Sequence, residues 1–422
     1  MKRQSLVIFL VALLAILLTG CPAAYNRPPI ALLTIVSPSP MLAFEVPITV
    51  EFDLSGSSDP DGTIKTWSLD YGDGTTDTGT AIPTTPVSHT YEEVGVLTAI
   101  LTITDNLGLT GKDSVTISTM PATIVFASNR YGSYGIFQMK ADGSDEGIVI
   151  DTPAADELFP DLVLNTRDKI AYTSNQGDGW NIWKVGVNGF GLLPTKLTTQ
   201  TPSIQPSWSY DASHIALASK SSGSWEIWRM TASGGSLTML ITQTPSWAIA
   251  PACSPVNDDI VFVSGIRNAG VDAHGGSALW LWNGTSASLL YDSPGRDGDP
   301  SPAALRGGLS LDLPPDAGIS KPAWSPDGEK IAFTKETTGN GLDIYVIDAE
   351  GNPLTEINTI LNIAANTGAD EFDPYWLENG KDIAFVREDL PGKFNIYKVA
   401  LSNGMVTPLT TSGDNVTPAR ER

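Results

Sequence analysis

Four aspartates in two short turns are the first residues of this sequence with the means to do chemistry. Asp59 and Asp61 stand in Ser57-Ser58-Asp59-Pro60-Asp61-Gly62, and Asp70 and Asp73 in Asp70-Tyr71-Gly72-Asp73-Gly74. Oxygen-rich loops of this kind hold hard cations such as calcium. The same residue types also build tight turns. Asp bonds the backbone two residues on, Pro fixes φ, and Gly supplies positive φ. Two readings therefore stand: calcium on Asp59, Asp61, Asp70 and Asp73, or four turn-capping carboxylates with no ion.

Catalytic groups are scarce. A nucleophile needs a base within hydrogen-bond reach, and the chain has three histidines, His89, His214 and His274. It has two cysteines, Cys21 and Cys253. Cys253 lies in the apolar setting Ala252-Cys253-Ser254 and reads as a small core residue. No Gly-x-Ser-x-Gly elbow, Walker loop or dinucleotide fingerprint occurs. The sequence thus offers no catalytic residue to name. Paired carboxylates among 47 acidic residues keep one enzymatic alternative open, a reaction on polysaccharide.

The N-terminus assigns a compartment. Met1-Lys2-Arg3 precedes an apolar run from Leu6 to Leu18, too short to span a bilayer as a stable helix. Leu18-Thr19-Gly20-Cys21 closes it and resembles a bacterial lipobox, which implies export, cleavage after residue 20 and lipid on the Cys21 thiol. Pro22 follows, not the Asp that resembles an inner-membrane retention signal in lipoproteins of two-membrane bacteria. The expectation is a lipid-anchored protein of the cell envelope, on the outer membrane or cell surface, with the lipid its only membrane contact. Lipidation of Cys21 leaves Cys253 alone, so no disulfide framework forms. Without Lys2 and Arg3, 23 basic residues face 47 acidic ones. Such a charge repels phosphate backbones and excludes nucleic acid as a partner.

With 422 residues the chain has length for two domains, and 40 Gly and 30 Pro punctuate short runs rich in Val, Ile, Phe, Tyr and Trp. No long segment keeps a 3.6-residue period, so the reading is all-β. After a tether at 21–28, residues 29–119 alternate strand patterns with turn clusters. Asp59-Pro60-Asp61-Gly62 leads into Trp67 and Asp70-Tyr71-Gly72-Asp73-Gly74. His89-Thr90-Tyr91 and Thr102-Ile103-Thr104-Asp105-Asn106 follow in order. Together these resemble a PKD domain, which implies an immunoglobulin-like β-sandwich used as a spacer or adhesive module. Trp67 should pack between the two sheets, and His89 should serve as a structural hydrogen-bonder.

From Met120 to Arg422 one unit recurs six times. Its first strands include Ile124-Val125-Phe126-Ala127-Ser128, Ile170-Ala171-Tyr172-Thr173-Ser174 and Ile331-Ala332-Phe333-Thr334-Lys335. Each is followed by a strand carrying an aromatic, such as Ile182-Trp183 or Ile396-Tyr397. Most are preceded by a proline: Pro160, Pro206, Pro251, Pro322 and Pro374. The repeat resembles that of TolB-type propellers and implies six four-stranded blades, A to D, stacked around an axis. That family's α/β N-terminal domain has no counterpart here, so its partners do not carry over. A pectin-lyase propeller resembling the repeat uses several histidines for metal; they are missing here. Residues 120–130 open with strand B, and Asn415-Val416-Thr417-Pro418 supplies the missing strand A at the other end of the chain. The C-terminus should close the ring and remove an open edge.

Trp208, Trp324 and Trp376 share one phase of strand A, either lining a sugar channel or packing between blades; packing is the expectation. Trp180 and Trp225 should be partly exposed. His214 falls where other copies have Lys169, Lys330 and Lys381, a solvated turn position. Long connections depart from the repeat at Gly265–Gly276, Ser293–Ser320 and Glu356–Asp370, the last with a helical turn at Ile357–Ala364. All three should project from one face, and loops on rigid scaffolds carry binding residues. His274, Asp297, Asp299, Asp312 and Asp316 are the candidate partner-binding residues. Their charge favours a basic or cation-bridged partner. The functional expectation is a monomeric, non-catalytic scaffold for an envelope protein. A surface polysaccharide is the alternative ligand.

Overall fold

The computed structural model describes residues 26–37, 44–121, 123–163, 169–186, 193–199, 202–241, 247–265, 277–292, 321–337, 341–366, 368–377, 380–411 and 415–420. Cys21, His274, Asp297, Asp299, Asp312 and Asp316 lie outside them. The chain divides into two compact units, Met1–Thr119 and Met120–Arg422. Among the described residues no helix is long and apolar enough to cross a membrane.

The first unit is a β-sandwich. One sheet joins Thr34–Ser37, Ile48–Asp53 and Val87–Tyr91. The other orders Phe44–Val46, Thr110–Pro121, Gly95–Asp105, Ile64–Asp70 and Thr76–Gly79. Period-2 alternation explains the packing. In Gly95–Asp105, Ala99, Leu101 and Ile103 are fully buried while Val96 and Thr98 face solvent. Val50, Phe52, Leu69 and Ile117 complete the core from both sheets. Trp67 is buried among them and its indole N–H donates to Ala81 O at 2.7 Å. Tyr91 donates its hydroxyl to Tyr71 O at 3.0 Å, so a buried polar tip is satisfied.

The second unit is a six-bladed β-propeller. Blade two shows the pattern, with strands A to D at Glu157–Leu162, Lys169–Ser174, Asn181–Gly186 and Thr195–Lys196. In blade one, strands B to D are Thr123–Ser128, Gly135–Lys140 and Gly147–Ile150. Strand A is Asn415–Arg420, antiparallel to Thr123–Ser128 with Asn415 opposite Ser128. The ring is therefore closed by the two ends of the unit. Blade three runs from Ser203–Trp208 to Thr238–Met239, blade four from Ala248–Cys253 to Ala287–Tyr291, and blade six from Glu371–Trp376 to Val406–Pro408.

Proline in an innermost strand needs explanation, because it cannot donate to the ladder. The answer is a repeated bulge. In blades two, three, four and six the residue before the proline has positive φ: Phe159 52°, Gln205 55°, Ala250 54° and Asp373 48°. The register shifts at each of these points. In blades three and four the N–H group freed by the bulge turns sideways to the preceding blade. Gln205 N donates to Thr173 Oγ1 at 2.9 Å, and Ala250 N to Gln205 Oε1 at 2.9 Å. Left-handed backbone costs roughly 1–2 kcal/mol at a residue with a side chain, and these cross-blade bonds are what oppose that strain.

Blade five departs from the pattern. Its sheet has three strands, Ala323–Trp324, Lys330–Thr337 and Gly341–Asp348. A ten-residue helix, Thr355–Ala364, stands in the place of strand D. Asn358 accepts from Val346 N at 2.8 Å and donates to Val346 O at 2.8 Å. Asn366 does the same for Ile344, at 3.1 and 3.2 Å. Two carboxamides thus replace the missing strand's peptide groups, and Leu361 anchors the helix in the core. The segment anticipated as a partner-facing insertion is, over these residues, the outer wall of blade five.

Candidate functional site

The innermost strands place polar side chains along the propeller axis. Lys321, just before Pro322 in blade five, reaches the opposite side of the ring. Its ammonium donates to Pro206 O in blade three at 2.7 Å and lies 3.6 Å from Asp161 Oδ1 in blade two. Its backbone N–H donates to Asp373 Oδ1 in blade six at 3.3 Å. Asp161 is 4% exposed and also accepts from Trp208 N at 2.7 Å. The axis is bridged by a cation and two carboxylates.

The axial tryptophans do not line a channel. Trp208 donates its indole N–H to Asp161 O at 3.1 Å and Trp324 to Ala252 O at 3.0 Å, each reaching the preceding blade. Trp208, Trp324 and Trp376 are all fully buried. Trp180 and Trp225, anticipated as partly exposed, are buried as well. Their carbonyls accept from Ser203 N and Ala248 N, the first residues of the next blade's strand A. The entrance to strand C is a junction between blades rather than a rim, which is why it is covered.

Where strand A begins, on the face carrying the B–C and D–A connections, charge enters the core. Glu371 is fully buried and its carboxylate accepts from Arg387 Nε at 2.9 Å. Arg387 also donates to Ala365 O at 2.8 Å and lies 4.6 Å from the Tyr397 ring centroid. Glu157 holds the same phase in blade two, also fully buried, with Thr152 N at 3.2 Å and Ser174 Oγ at 3.4 Å. Burial raises its pKa from 4.5 to about 7, against the opposing pull of those two hydrogen bonds. In blade one the position is Asn415, whose Oδ1 accepts from Arg130 at 2.8 Å. The connections 266–276 and 293–320 leave blade four on this same face. They lie outside the described residues.

In the sandwich the four aspartates fall in two separate turns. Asp59 Oδ1 accepts from Asp61 N at 3.3 Å, and Asp61 accepts from Arg27 N at 3.2 Å. Asp70 accepts from Gly72 N at 2.9 Å and Asp73 from Thr75 N at 3.0 Å. Asp73 Oδ2 meets His89 Nε2 at 2.6 Å, with the imidazole stacked on Tyr71 at 3.9 Å. Burial pushes the Asp73 carboxyl up, but bonds from Thr75 and His89 outweigh it and hold the group below its ordinary range. Among the described residues no three acidic, histidine or cysteine side chains converge as a metal site would require.

His214 sits in the A–B turn of blade three. Its N–H donates to Ser209 Oγ at 3.0 Å, as Lys330 N does to Ser325 Oγ at 2.9 Å in blade five. The histidine is a turn residue. Cys253 is buried, with Sγ 3.5 Å from Ser207 O.

Residues 39–119 match the PKD domain family. The PKD1 domain of the Vibrio cholerae metalloprotease PrtV aligns at 25% identity over 22% of this chain and 98% of its own, with a TM-score of 0.18. TolB from Acinetobacter baumannii aligns at 14% identity over 78% of this chain and 80% of its own, with a TM-score of 0.51. That likeness is one of fold. An oligogalacturonate lyase in complex with manganese aligns at 12% identity over 68% of this chain and 73% of its own, with a TM-score of 0.42. A comparison with curated proteins returns no match. The sequence motifs and the strand topology therefore agree on a PKD domain followed by a TolB-like propeller.

Proposed function

We propose that this protein is a non-catalytic, lipid-anchored scaffold of the bacterial envelope whose propeller binds a protein partner. The observation that carries this reading is the use made of the axial residues. Lys321, Asp161 and the strand A tryptophans are consumed in holding blades together. That weakens the polysaccharide alternative, which needs tryptophan faces open to a sugar. Recognition then falls to the face where connections 266–276 and 293–320 leave the blades. His274, Asp297, Asp299, Asp312 and Asp316 lie in them and suit a basic or cation-bridged partner. The PKD domain serves as spacer or adhesive module between anchor and propeller.

Two experiments test this. Replacing 295–317 by a Gly-Ser link should abolish capture of the partners that the wild-type protein retains from envelope extract, with the melting temperature kept within about 2 °C. Equal capture by the shortened chain removes that surface from consideration. Cys21→Ser should move the protein from the membrane fraction to the soluble fraction after detergent-free lysis. A mutant that stays with the membrane ends the lipid-anchor reading.

A further inference from the structure

One position of strand C recurs as a cation in three blades. Lys184, Arg229 and Lys398 stand opposite Ala171, Ala216 and Ala384 of strand B in blades two, three and six. In two of these blades the cation is a strut to the next blade. Lys184 Nζ donates to Ala232 O in blade three at 3.0 Å, and Lys398 Nζ to Ala141 O in blade one at 3.3 Å. Ala232 and Ala141 each open a C–D turn, and Asn283 holds the same place in blade four.

Arg229 breaks the pattern. No hydrogen bond or ion pair holds its guanidinium among the described residues, and its one contact of that kind is the Trp282 ring, 5.9 Å away at the centroid. The space left between blades three and four is a shallow groove open to solvent. His214, Ser209, Cys253 and Asn257 share its wall with Arg229 and Trp282, and one acidic side chain, Asp258, lies at it without pairing to the arginine. His214 Nδ1 is engaged by Ser213 at 2.6 Å, so Nε2 is the ring atom left for a ligand. A guanidinium carries five donors in a fork that matches a carboxylate bidentately. In a chain with 47 acidic and 25 basic residues, a half-buried arginine without a carboxylate partner stands out.

We propose that the groove between blades three and four binds a carboxylate group, held by the Arg229 fork with His214 and Ser209 beside it. The carboxylate comes from a small free acid or from the C-terminus of a peptide. The site is independent of the loop face, because it is built on the A–B turns. Isothermal titration of the full mature chain at fixed ionic strength separates the sources. The probes are sodium acetate, acetyl-trialanine with a free C-terminus, and the same peptide amidated. Saturable binding of acetate or the free peptide is expected, with no binding of the amide. Arg229→Gln should weaken it at least tenfold. Arg229→Lys should weaken it too, because a lysine there reaches for the Asn283 carbonyl as its counterparts do, with the melting temperature unchanged or raised. Phenylglyoxal followed by peptide mass spectrometry gives a readout on the unmutated protein. Arg229 should react, and the bound acid should slow the reaction at least tenfold. Absence of saturable binding, equal binding of the amide, binding undiminished in both variants, or an unreactive Arg229 would each overturn the site.

Discussion

Blades two and six bury a glutamate at the same point of strand A and treat it differently. Glu371 faces Arg387 across the ladder, and Glu157 faces Ser174 in the same register. The first is a charge paired with a guanidinium. The second is a carboxyl with a backbone N–H and a hydroxyl, pushed up to about 7 by burial. A buried ion pair is costly to break because its surviving member stays unpaired. An unpaired buried acid instead takes up a proton near neutral pH. One repeat position therefore gives a lock in one blade and a pH-sensitive group in another.

The largest expected effect tests the third form of the position. Asn415 is delivered by the far end of the chain and receives Arg130. Deleting 415–422 removes strand A of blade one and the buried Val416. The loss should reach about 5 kcal/mol or more, the scale of a whole domain's stability, and the propeller's cooperative melt should vanish in calorimetry. An unchanged melt would mean that the ring closes without it. Arg387→Ala should come next, at about 3–5 kcal/mol, because Glu371 is left buried without its guanidinium. Urea denaturation reads this, and a loss under about 1 kcal/mol would erase the contrast between the blades.

The smallest effect depends on pH. Glu157 has a folded pKa above its ordinary 4.5. Its contribution is therefore complete below pH 4.5 and is lost as pH rises through about 7. The shift corresponds to about 3 kcal/mol at most. Glu157→Gln should match the wild type near pH 4.5 and exceed it by up to that amount at pH 8. Parallel stability profiles for the two proteins would show that Glu157 does not titrate in this range.

Local pattern revealed much of this architecture. Alternation in Gly95–Asp105 and the repeated Ile-Ala-Phe strands identify sheet faces, since period 2 decides which side chains turn inward. Asp-Pro-Asp-Gly and Ser-Pro-Asp-Gly mark turns, and the displaced Asn415-Val416-Thr417-Pro418 copy indicates ring closure. The site residues were harder to see. Lys321 and Asp161 are 160 positions apart in sequence numbering and meet only because blades five and two face each other across the axis. Trp180 and Trp225 look exposable until a neighbouring blade covers them. Asn358 and Asn366 read as helix polar residues, and their role as a substitute strand exists only beside Gly341–Asp348. The sequence by itself determined most of the elements and their order, because propensity, turn chemistry and hydrophobic period act between near neighbours; blade five, where a helix takes the place of strand D, is the exception. The tertiary structure decided which cation reaches a carbonyl, which reaches a carboxylate and which is left with a groove. Those outcomes depend on distances across blade interfaces, and no local rule contains them.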